Sequence, residues 1–199
     1  MKFKHTIPIL FTLLLLQKTF ISFAQENNEE FIIGNKIYKS GSNWFKIAQG
    51  VGFHFYLNEF EYNTTFAYTI RIKKIYTQFG YHVSSDVFLT KATLQRLNDL
   101  YLTIGLRKEK RFLNIAAFGG FSYAYGGTLD HTEWKDGKLT KWYRGFTQPG
   151  LFGTIDFSFK PLYDVGFGLS LYGSINKYYN VLGVQLHFYL SGAYKGIIE

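Results

Sequence analysis

Over residues 43–57 the chain reads NWFKIAQGVGFHFYL, and alternate residues fall into two sets. Phe45, Ile47, Gln49, Val51, Phe53, Phe55 and Leu57 are bulky and mostly apolar. Trp44, Lys46, Ala48, Gly50, Gly52, His54 and Tyr56 hold the glycines, the lysine and the histidine. A period of two puts the sets on opposite faces of one extended strand. Residues 62–73 repeat the split, with Phe66, Tyr68, Ile70 and Ile72 against Thr65, Ala67, Thr69, Arg71 and Lys73. Residues 75–84 set Phe79, Tyr81 and Val83 against Gln78, Gly80, His82 and Ser84. The pattern returns over residues 100–107, 111–126, 151–160, 165–175 and 182–191. Eight such segments predict eight strands.

The placement of charge says which face meets what. Lys46, Arg71, Lys73, Arg107, Asp156 and Lys160 all share the face of the glycines and histidines. A Lys or Arg against hydrocarbon at mid-membrane costs ~2–4 kcal/mol, so their absence from the bulky face is expected of lipid contact. Gly50, Gly52, Gly80, Gly105, Gly120, Gly166, Gly168 and Gly183 lie on the same small face, and an eight-stranded interior has room only for side-chain filling. Connections after residues 73, 107 and 160 are tight and those after residues 84 and 126 are long, while those after residues 57 and 175 are short as well, so the alternation is partial. Short turns at one end and longer loops at the other suit an outer-membrane barrel. Phe55, Tyr62, Tyr81, Tyr123 and Tyr125 mark one edge, and Phe45, Phe159 and Phe188 the other, as interface girdles. The prediction is an all-β, eight-stranded antiparallel up-and-down transmembrane β-barrel over residues 43–192. It requires Phe53, Phe66 and Leu186 to face outward. A soluble lipocalin-like barrel, which buries that face, is the competing class.

Residues 1–24 carry Lys2 and Lys4, an apolar core and a small residue, Ala24, before Gln25. This is the pattern of a cleaved secretory signal. Its removal takes Lys2, Lys4 and Lys18 and no acid, so the net charge falls from +8 to +5, and the basic balance needs no nucleic-acid partner. Residues 25–42 read as a periplasmic leader and residues 193–199 as a C-terminal tail. With no cysteine there is no disulfide, thiolate metal site or lipoprotein anchor. After the signal, no stretch approaches the ~20 apolar residues of a spanning helix.

The signal ending FAQ, the segment YKSGSNWFKIAQGVGFHFYL and the Gly/aromatic strands resemble the outer-membrane β-barrel domain proteins of Bacteroidota, small OmpX/OmpA-like or PorT-type barrels. The resemblance covers about residues 39–191. It implies location in the cell outer membrane, in contact with outer-membrane lipid and lipopolysaccharide. Family members have varied roles, so the resemblance constrains function little. The reading taken is a monomeric, non-enzymatic barrel with a structural or surface-interaction role and no cofactor. Its partner would be a surface or periplasmic protein. The alternatives are a PorT-type accessory of secretion or envelope assembly and a lipid A-modifying hydrolase.

The hydrolase reading rests on His82 and Ser84 with Asp86 nearby, since a histidine that reaches a serine and is oriented by a carboxylate can activate the hydroxyl. His54, His82 and His187 all project inward, and three imidazoles can bind zinc. Inner histidines more often join hydrogen-bond networks, so no metal is assigned. Asp156 stands as the sole inner acid, expected to pair with Arg71 or another inner base. Arg71, Asp156, His54, His82 and His187 thus form the expected lumen network. Asp136-Gly137 is a strong hairpin-turn pair. A two-residue turn there sets Trp134 opposite Leu139 and His131 opposite Trp142, extending two strands as a ribbon past the membrane. Trp134, Lys135, Lys138, Lys141, Trp142 and Arg144 on it are the candidate contact residues.

Overall fold

The computed structural model describes residues 30–85, 96–135 and 137–198; the signal segment, Asp86 and Asp136 lie outside them. Eleven strands follow in order: β1 Glu30–Ile33, β2 Lys36–Lys39, β3 Trp44–His54, β4 Glu59–Ile72, β5 Ile75–Ser85, β6 Arg96–Glu109, β7 Leu113–Lys135, β8 Lys138–Leu162, β9 Val165–Ile175, β10 Asn180–Ser191 and β11 Tyr194–Ile197. Strands β3 to β10 form a closed antiparallel barrel in which each pairs with its chain neighbour and β10 returns to β3. Closure leaves no unpaired sheet edge within the ring, the condition for crossing hydrocarbon with strands. From Gly153, stepping through Gly173, Leu182 and Phe53 reaches Phe60 on β4. Stepping the other way through Gly119, Ile104 and Thr77 reaches Ile70 on the same strand. The ring therefore closes ten residues out of register, and that stagger tilts the strands.

The faces fall as the alternation dictates. Leu186 is 71 % exposed and Phe66 42 %, Phe53 is half-buried at the barrel wall, and Lys46 is 1 % exposed inside. The soluble inverse, with Phe, Leu and Ile at the centre, is excluded. The inner glycines seat aromatic rings. A Cβ on Gly80 would run into the Tyr101 ring, and one on Gly166 into the Tyr189 ring.

Strand ends differ from the sequence reading. β3 stops at His54, and residues 55–58 form a turn in which Asn58 takes φ 55°. β4 starts at Glu59 and β6 at Arg96, ahead of the alternation read from residues 62 and 100. Lys108 and Glu109 belong to β6, and Lys73 is an exposed turn residue at φ 56° rather than an inner one. Residues 111 and 112, at the start of the segment read as strand over residues 111–126, lie in the next turn, where Phe112 is exposed and stacks near Phe159.

β1, β2 and β11 make a separate three-stranded sheet at the end where the chain enters and leaves the barrel. Tyr38, Tyr163 and Ala193 bury its contact with the barrel, with Phe31 and Ile33 packed against them. The residues between β2 and β3 turn inward at Gly41, whose φ of 66° and close neighbours Arg71 and Tyr76 leave no space for a Cβ.

Candidate functional site

The lumen is filled from the base upward. At the base Glu109 accepts from Arg107 (2.8 Å), Lys160 (2.6 Å) and the Gly41 backbone N–H (2.9 Å). Arg107 also donates to Asn114 Oδ1 (2.6 Å) and the Ser42 carbonyl (3.2 Å), and its guanidinium lies 4.4 Å from the Trp44 ring centre. One carboxylate is shared by two cations, and the cluster fastens residues 41–42 into the opening.

In the middle Lys46 on β3 reaches across the lumen to Asp156 on β8, with Nζ 2.8 Å from each carboxylate oxygen. His187 sits between Ser158 (2.9 Å) and Ser170 (2.7 Å). The Gln78 amide donates to Thr69 at 3.1 Å and that of Gln185 to Thr65 at 2.8 Å. Above them Tyr101 stacks on Phe152 at 4.0 Å, and His82 fits against Phe152 and Tyr172. Near the mouth, Glu61 accepts from Ser84 (2.8 Å) and from the Tyr179 hydroxyl, and Asp99 accepts from Ser174. The His54 ring lies 4.1 Å from that of Tyr179. Burial first, then the Glu61 carboxylate, raises the Tyr179 phenol well above its ordinary value.

Arg71 lies 6.0 Å from the Tyr76 ring centre, the ring that Arg107 also approaches. It is half-buried at the base, donating to the carbonyls of Lys73 (2.9 Å) and Ser40 (3.3 Å), and Lys46 takes the place expected for it beside Asp156. Asp156 is not the sole inner acid, because Glu61, Asp99 and Glu109 are buried with it. The alternation that marks them simply runs on: Glu61 precedes Asn63 and Thr65, Asp99 precedes Tyr101 and Thr103, and Glu109 follows Arg107.

His82 and Ser84 do not form a nucleophile pair. They lie two residues apart on one strand face, about 7 Å along the strand. His82 Nδ1 is 2.8 Å from Thr65 Oγ1, and the Ser84 hydroxyl is spent on Glu61. Both are wholly buried, and Asp86 lies outside the described residues. The three inner histidines have separate partners, His54 Nδ1 accepting from the Leu57 backbone N–H at 3.1 Å. Among the described residues no group of three or more His, Cys, Asp or Glu is placed to hold a metal ion.

At the opposite end from the three-stranded sheet, β7 and β8 outgrow the ring. β6 begins at Arg96 beside Gly127 and β9 ends at Ile175 beside Leu151, so among the described residues the strand partners of residues 128–150 lie within this hairpin, while Phe146 packs its ring on Tyr178 and Tyr179. Trp134 faces Leu139 and His131 faces Trp142, with Lys135 beside Lys138 and Gly137 at φ 72° in the turn. A bulge at Asp130 lets its carboxylate meet His131 and Arg144, each at 3.0 Å. Trp134 (73 % exposed) and Trp142 (51 %) are open. Alternation divides the candidates: Lys138, Trp142 and Arg144 share one face, Trp134 and Lys141 the other. The side chain of Lys135 is outside the described residues.

No protein-family profile matches the chain, and no curated protein sequence does. Among solved structures, Neisserial surface protein A is similar over 75 % of this chain and 95 % of its own, at a TM-score of 0.54 and 9 % identity. Ail, the attachment invasion locus protein of Yersinia pestis, follows with a TM-score of 0.49, 10 % identity, and 77 % and 95 % coverage. The N-terminal β-barrel domain of Pseudomonas aeruginosa OprF gives 0.44, 10 %, 76 % and 100 %. The likeness to the Neisserial protein is one of fold, that of an eight-stranded transmembrane β-barrel. The finer resemblance to Bacteroidota or PorT-type barrels gains nothing from these structures.

Proposed function

We propose that the chain is an integral outer-membrane protein, non-enzymatic, that displays the β7–β8 ribbon as a contact surface for another protein outside the cell. The observation that carries this reading is the ribbon itself, a paired hairpin projecting past the barrel, whose outer edges have no strand partner among the described residues. Open strand edges bind by adding a strand, and exposed Trp and Arg are the side chains that dominate contact energy. The barrel beneath serves as a rigid mount. Its lumen is occupied by buried side chains from the Glu109 cluster to Tyr179, which offers neither a wide channel nor an open cleft around Ser84.

The test is made in intact cells and then in fractions. The protein should appear in the outer-membrane fraction with heat-modifiable migration on a gel. A membrane-impermeant amine reagent should label Lys138 and Lys141 before lysis. Labelling only after lysis would refute surface display. Deleting residues 132–141 should leave the heat shift intact, because every strand of the ring keeps its partners, and should remove the labelling at those positions.

A further inference from the structure

The short-turn end of the barrel carries positive charge on one side. Lys73 and Lys74 form the β4–β5 turn, Lys108 lies on the outer face near the end of β6, and Lys110 and Arg111 lie in the β6–β7 turn. β5 and β6 are paired neighbours, so the two turns sit side by side. All five cations are exposed. Glu109, the acid amid them in sequence, points inward to Arg107 and Lys160. The β8–β9 turn carries an acid instead, Asp164.

These charges stand at the margin of the lipid-facing band. Ile72 and Ile75 flank Lys73 and Lys74, while Phe112 and Leu113 follow Arg111, and all four apolar residues are exposed. The Arg111 guanidinium lies 4.8 Å from the Phe112 ring centre. Beside it, between the end of β8 and the three-stranded sheet, opens a crevice of ≈ 70 Å³ lined in part by Arg111, Phe112, Tyr38 and Tyr163.

We propose that this patch binds the headgroups of anionic phospholipids in the leaflet at the short-turn end, with the Arg111 crevice taking one phosphate. A guanidinium meets phosphate oxygens through two parallel hydrogen bonds. Lysine stems lie along apolar surface while their ammonium groups reach the headgroup layer. Clustered basic residues next to a membrane span recognise anionic lipid in this way. An acidic protein is the poorer fit, because it could not cover cations flanked by Ile72 and Ile75 without displacing lipid from them. The proposal rests on the membrane reading above.

The experiment reconstitutes the full chain into vesicles of phosphatidylcholine alone and of an equimolar mixture with phosphatidylglycerol, and measures co-purified lipid by native mass spectrometry after detergent extraction. Phosphatidylglycerol should be enriched about tenfold over phosphatidylcholine, a modest return on about fivefold per basic residue at a charged surface. K73Q/K74Q/K110Q/R111Q changes only exposed side chains; it should insert normally and lose the enrichment. The control K138Q/K141Q, on the ribbon, should keep it. R111Q alone should lose more than K74Q alone. Failure to insert into either vesicle would sink the membrane reading. Insertion with no enrichment, or equal loss in the ribbon control, would sink the lipid patch alone. Equal loss in R111Q and K74Q would remove the crevice from it.

Discussion

Lys46 and Asp156 join walls of the barrel that are not adjacent, and the pair shows how a buried charge acts here. Both lie under 3 % exposed, so neither retains water to fall back on. Breaking such a pair by removing one partner costs about 3–5 kcal/mol, whereas replacing both with apolar groups of similar size is often neutral. Asp156→Asn should therefore lower the unfolding free energy of the barrel in vesicles, measured with urea, by that order. The double variant K46M/D156L should recover most of the loss. A double variant as unstable as the single would show that the pair matters through shape rather than charge. Glycine positions make a sharper contrast. Gly80 lies under the Tyr101 ring, while Gly119 faces outward with nothing within 4 Å of an added Cβ. Gly80→Ala must displace Tyr101 from its stack on Phe152 and should cost ~1–3 kcal/mol. Gly119→Ala should be close to neutral in the same unfolding measurement.

Among the elements, the three-stranded sheet depends on the base cluster. Glu109 holds Gly41 and is shared by Arg107 and Lys160, so Glu109→Gln loosens the segment joining sheet to barrel. Trypsin cleavage at Lys36 and Lys39 should then rise several-fold while the folded barrel band persists on a gel. Unchanged cleavage would mean that the aromatic contacts of Tyr38 and Tyr163 hold the sheet unaided. This sheet was not legible in the sequence. Its strands are four residues each, and β11 joins β2 from the far end of the chain, a pairing with no local signature. The faces of the long strands were legible, because lipid outside and a crowded lumen inside force a contrast at every second residue. Their ends were not, since outside the hydrocarbon layer both faces turn polar; Glu59 and Arg96 continue strands that the apolar count had ended. The ribbon register was legible from Asp136-Gly137 alone, as turn length fixes which residues oppose. The partner of Asp156 was not, because whether Lys46 or Arg71 reaches it depends on the ten-residue stagger, a property of the closed ring rather than of any strand.

At the level of the whole molecule, everything above the fold hangs on hydrocarbon lying against the outer face, and depth dependence tests that directly. Leu186 stands in the middle of β10 and Leu190 near its base end, both on the outer face. In a bilayer the middle position is buried in acyl chains and the end position adjoins headgroups. An arginine should then cost ~2–4 kcal/mol at Leu186 and ~0–1 kcal/mol at Leu190, where it can reach water. Around a soluble barrel both sites would face water, and surface substitutions there would stay within about 0.5 kcal/mol. Equilibrium unfolding of L186R and L190R in phosphatidylcholine vesicles reads the difference. The two variants share strand, residue type and outward direction, so strand propensity and lost leucine contacts largely cancel, leaving depth as the variable. A gap of about 2 kcal/mol or more places the hydrocarbon layer at Leu186. Two small, equal effects would remove the membrane from that face, and with it the ribbon's position outside the cell and the lipid headgroups around Arg111.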